Sequence, residues 1–152
     1  MDNHTIRKAL ELWTKNDGLV NYKKMAIEKY GHISTWQTGE VTDMSRLFKS
    51  KKEFNEDISS WNVSKVTNMG YMFASATSFN QPLEKWDVSK VTDMGSMFES
   101  ASSFNQPLEK WDVSKVTNML RMFDGVKIQS NIKVFYHFYF QILIILFLYF
   151  LV

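Results

Sequence analysis

The chain has 152 residues, 22% of them charged, and a formal net charge of +2. That length fits one modest core, and so even a charge balance supplies no basic face, so no nucleic-acid partner is expected. Cysteine is absent, which excludes disulfides, thiolate metal sites and thiol nucleophiles together.

Residues 2–30 read as a helical N-terminal cap. Ile6, Ala9, Leu10 and Trp13 share one helical face, Thr5 is a candidate N-cap, and Asn16-Asp17-Gly18 is a stop signal. A second helix is expected from about Leu19 to Tyr30, ending at Gly31. Repeat arrays need a terminal element to cover their first coil, and an amphipathic helix pair does that. The segment has no apolar run behind a basic start, so it is not expected to be a signal peptide.

Residues 31–125 carry a tandem repeat in four copies. Trp36, Trp61, Trp86 and Trp111 stand 25 residues apart, and so do Met44, Met69, Met94 and Met119. Phe48, Phe73, Phe98 and Phe123 keep the same register. A unit this short cannot bury its apolar face alone, so it stacks on its neighbour and places equivalent residues in columns. These Trp, Met and Phe columns read as the structural core, in preference to a cofactor box. Within each copy, Val-Thr-Asx-Met alternates as a short strand does, and Met69-Gly70-Tyr71-Met72-Phe73 has helical spacing. Phe79-Asn80-Gln81-Pro82-Leu83 reads as extended, with Pro82 fixing the backbone. The expected fold is therefore an α/β repeat solenoid with short parallel strands and short helices in each coil.

The polar columns have two readings each. Asp43, Asn68, Asp93 and Asn118 could form a Ca²⁺ ladder, but the alternation of Asp with Asn leaves few charged ligands. Capping of turns needs only an oxygen acceptor, which Asn and Asp both supply. Lys65, Lys90 and Lys115 form a basic column, a solvated face in the simplest reading and a candidate binding face in the sharper one. No catalytic, cofactor or metal residues are assigned and no cofactor is expected. The three His residues lie outside the copies from Trp36 onward, and no phosphate-binding glycine loop is present.

Residues 126–152 form a hydrophobic tail without Asp or Glu. Residues 134–152 are long enough for a transmembrane helix near the short limit, and Tyr and Phe near both ends suit an interface belt. A membrane localisation with one C-terminal span, and the membrane as a partner, follow from that reading. Two others stay open: a truncated or frameshifted product, and a cap over the last coil.

The unit W-[DN]-V-S-K-V-T-[DN]-M-x-x-M-F-x-x-A-x-x-F-N-Q-P-L-E-K closely resembles the repeat of the BspA-like leucine-rich-repeat surface proteins. The resemblance runs from about Gly31 to Gly125. It implies a leucine-rich-repeat-like solenoid, no enzymatic activity, a cell-surface setting and a role in binding protein or glycan. Few copies, no lipidation cysteine and the hydrophobic tail depart from that pattern. The functional expectation is a non-catalytic interaction or surface-display protein. Its rival is a structural remnant of a longer array with no ligand of its own.

Overall fold

The structure is a computed structural model that describes residues 1–16, 18 and 20–126. Helix α1 (Asn3–Thr14) starts at Asp2, whose carboxylate accepts the Thr5 N–H at 2.7 Å. Asp2 is thus the N-cap, and Thr5 lies inside the first turn as the donor. Ile6, Ala9, Leu10 and Trp13 form the buried face of α1. Helix α2 (Tyr22–Tyr30) starts after Asn21, which accepts the Lys24 N–H at 3.0 Å, and gives way to Gly31 at φ 78°. A 3-10 turn (Ile33–Thr35) leads into Trp36.

The α/β solenoid expected for the repeats is not what forms. Among the described residues every helical element precedes Trp36, and no strand or sheet is present. The parallel contacts are three isolated bridges, Asp43 to Asn68, Asn68 to Asp93 and Asp93 to Asn118. Leucine-rich repeats line each unit with a strand, so that framework is corrected as well. The expected C-terminal helix at 134–152 lies outside the described residues. Among the described residues no helix is long and apolar enough to cross a membrane, so the single-span membrane localisation is withdrawn.

The backbone hydrogen bonds explain why turns replace strands. In the second coil the N–H groups of Met69, Tyr71, Phe73 and Ser75 donate forward to the carbonyls of Asp93, Gly95, Met97 and Glu99 at 2.7–2.8 Å. The intervening N–H groups of Met72, Ala74 and Ala76 donate within the coil, to Met69, Tyr71 and Phe73, at 2.9–3.1 Å. Alternating the two destinations bends the chain every other residue. It requires left-handed backbone at Tyr71 (φ 59°) and Ser75 (φ 58°), and the third coil repeats it at Ser96 and Ser100. A strand would have to stay extended, and an α-helix would need bonds four residues back. Neither can form, yet every N–H from Met69 to Ala76 is paired, that of Gly70 by the Asn68 side chain.

The threonine column runs in the opposite sense. Thr67, Thr92 and Thr117 each donate their N–H backward to the carbonyl of the preceding threonine, at 2.8–2.9 Å. At the first coil, where no preceding threonine exists, the Asn3 side chain on α1 accepts from the N–H groups of Thr42 and Asp43 at 2.8 and 3.1 Å. Arg7 donates to the carbonyls of Asp43 and Ser45 at 3.4 and 3.0 Å. One coil later the matching carbonyls, of Asn68 and Gly70, take the N–H groups of Met44 and Arg46. Helix α1 therefore presents to the first coil the donors and acceptors that another coil would.

Stacking fills the interior. Phe48, Phe73, Phe98 and Phe123 form a column of near-parallel rings with centroids 5.3–5.6 Å apart. Phe54, Phe79 and Phe104 form a second column, each ring about 4.0 Å from its partner in the first. Trp13 of α1 closes the near end, edge-on to Trp36 at 5.8 Å.

Candidate functional site

The core columns are unavailable to a ligand. Trp36, Trp61, Trp86 and Trp111 are buried, and their indole N–H groups donate to the carbonyls of Gly31, Ile33, Ile58 and Leu83 at 2.8–3.3 Å. Met44, Met69 and Met94, with Phe48, Phe73 and Phe98, are 0% exposed, whereas Met119 and Phe123 in the last coil are half-buried. Hydrophobic burial and satisfied indole donors account for these residue types without a ligand.

The Asx columns serve turns. Asp43, Asn68, Asp93 and Asn118 each accept the N–H two residues on, at 2.7–3.1 Å. The Asn118 amide also donates to Asp93 at 2.9 Å, so alternating amide with carboxylate turns a like-charge stack into a hydrogen bond. Among the described residues no group of three or more His, Asp or Glu is placed to hold a metal. A second set, Asn62, Asp87 and Asp112, accepts from Ser64, Ser89 and Ser114. The hydrogen bonds from Ser89 and Ser114, hydroxyl first and then N–H, hold the Asp87 and Asp112 carboxyls below the usual carboxylate range.

Lys65, Lys90 and Lys115 are all exposed, at one offset in successive coils. Lys65 reaches back to Glu40 at 2.7 Å. The column is accessible and in register.

A cleft that sequence reading missed lies between the first coil and the link from α1 to α2. It has a volume of about 710 Å³. Trp13 and Phe54 form its aromatic walls, with Tyr22, Lys23, Lys51, Lys52, Glu53 and Glu56 among the other lining residues. Lys23 sits over the Trp13 ring at 4.8 Å and pairs with Glu56 at 2.5 Å. Lys51 and Lys52 continue a basic run on the first coil that includes Arg46 and Lys49, both placed over the Tyr71 ring, at 5.5 and 5.0 Å. Comparing copies by offset would have exposed this run, because the third copy has Ser96, Glu99, Ala101 and Ser102 at the same places.

Residues 19–135 match the family described as "Mycoplasma protein of unknown function, DUF285". The chain belongs to the DUF285 family. The DUF285 match takes in α2 and all four copies and begins after α1. No curated protein and no solved structure matches the chain.

Proposed function

We propose that the chain is a non-catalytic interaction module that binds protein or glycan through the outer face of its stacked coils. The observation that carries this reading is register. The main ladders of bonds between coils recur every 25 residues, so outward side chains such as Lys65, Lys90 and Lys115 align as columns of like groups. Such a column suits a partner that is itself extended or repetitive. The resemblance of the repeat to BspA-like surface proteins supports the same function.

A second reading, a structural remnant with no ligand of its own, draws on the copies Trp61–Lys85 and Trp86–Lys110. They differ at five of 25 positions, which suits recent duplication better than a tuned surface. Binding of the full chain to immobilised protein and glycan panels separates the two. Retention on one class, reduced by Lys65→Ser, Lys90→Ser and Lys115→Ser together or by changes elsewhere on the outer face, supports the module. Absence of retention on every panel leaves the remnant.

A further inference from the structure

The first coil departs from its sister coils in one respect beyond turn chemistry: it concentrates positive charge. Arg46, Lys49, Lys51 and Lys52 fall within seven residues. The third coil has a hydroxyl, a carboxylate, a methyl and a hydroxyl at the same offsets. Among the described residues ion pairs engage Arg7, Lys23, Lys24, Lys65, Lys110 and Arg121, and none of the four clustered cations. Lys51 is the most telling of them. Its counterparts Ala76 and Ala101 are 0% exposed, so a core-edge methyl has been exchanged for a half-buried lysine that lines the cleft. Like charges this close repel within the Debye length, about 8 Å at physiological salt. The Tyr71 ring offsets that repulsion only in part. None of those ion pairs gives the four a counter-charge, and an anion from outside would supply one.

We infer that this basic run and the adjoining cleft bind an acidic glycan through its carboxylate or sulfate groups. The inference rests on the interaction-module reading and names its ligand class and its place. Protein partners insert apolar anchors into open pockets. Here Trp13 and Phe54 are only 5% and 6% exposed, and the apolar surface left open in the cleft is that of Val20, 48% exposed, and half-buried Tyr22. Beside it stand the ammonium-bearing side chains of Lys51 and Lys52, with hydroxyl and amide groups of Thr14, Ser50, Asn16 and Asn21, which an acidic sugar chain can engage. Glu53 and Glu56 share the cleft, and Glu56 is already paired with Lys23.

The test uses the full chain against heparin, polygalacturonate, uncharged dextran and poly-glutamate. One variant carries Arg46→Ser, Lys49→Glu, Lys51→Ala and Lys52→Ser, residues the third coil holds at those offsets, so the coil keeps its fold. A second neutralises Lys8, Lys29 and Lys85 to Ser, exposed lysines that do not line the cleft. The expected result is salt-sensitive binding to heparin or polygalacturonate, weakened at least tenfold by the first variant and less than threefold by the second. Heparin alone would assign the site to sulfate, and both glycans would assign it to carboxylate. Equal binding of dextran, equal binding of poly-glutamate, or loss only in the second variant overturns the inference and leaves the interaction module standing. Failure of every protein and glycan probe overturns both.

Discussion

The Asn3 side-chain oxygen lies 2.8 Å from the Thr42 nitrogen, in the position that the Thr42 carbonyl takes towards Thr67 at 2.9 Å. A side chain on a helix thus stands in for a backbone carbonyl. Asn3→Ala leaves two coil-edge N–H groups to water and is expected to lower stability by about 0.5–1.5 kcal/mol. Asn3→Asp keeps the acceptor and is expected to lose less, because only the 3.0 Å bond to the Thr42 hydroxyl goes. Urea unfolding of the two variants checks the order.

Ser75 sits at φ 58°, a conformation in which a Cβ is a liability. Ser75→Gly is expected to raise stability by up to about 1 kcal/mol, the steric relief exceeding the extra freedom gained by the unfolded chain. Ser75→Val should destabilise, since a β-branched residue tolerates that region least. Gly125 already occupies the equivalent position in the last coil, at φ 73°. Thermal midpoints of the pair, compared at equal protein concentration, decide the point.

Phe73 touches rings of three coils and is 0% exposed, whereas Phe123 is half-buried at the far end of the same column. Phe73→Ala is expected to cost about 3–5 kcal/mol through lost burial and an unrelaxed cavity. Phe123→Ala should cost less than half as much. Equal losses in denaturant titrations would contradict the packing described.

Acid stability follows from the serine-bonded carboxylates. Asp87 and Asp112 are held below the usual carboxylate range by hydrogen bonds from Ser89 and Ser114. The folded protein therefore binds fewer protons at these groups than the unfolded chain does. Their contribution is complete above the ordinary carboxylate range and is lost as pH falls through their depressed values. Asp87→Asn with Asp112→Asn should flatten that acid limb while keeping the turns, as Asn62 does at the same offset with a 2.8 Å bond from the Ser64 hydroxyl. Chemical unfolding between pH 5 and 2 would show the two slopes.

The 25-residue recurrence is legible because each coil meets the same neighbours, so the letters at Trp36, Trp61 and Trp86 answer to one environment. The conformation inside a coil was not legible. Met69, Met72 and Phe73 have helical spacing, yet the N–H groups of Met69 and Phe73 leave for the next coil and that of Met72 stays within its own. Propensity rules describe bonds along one chain and do not register bonds between stacked copies. The left-handed residues were hidden for a related reason, since Tyr71 and Ser75 are not the types that usually mark such backbone. The cleft was hidden because Trp13 and Phe54 are brought together by tertiary packing, while Arg46 to Lys52 read as ordinary solvated charge until set beside the sister coils.

The polarity of the backbone ladder has a consequence for how such a chain can change. Each coil hands its neighbour the same pattern of donors and acceptors that it receives, and α1 closes the array by imitating that pattern with Asn3 and Arg7. Adding or removing 25 residues in the middle would leave the closing helix facing an identical edge. Length is then a free variable, open to duplication and loss of whole coils, while chemistry peculiar to the first coil keeps its place.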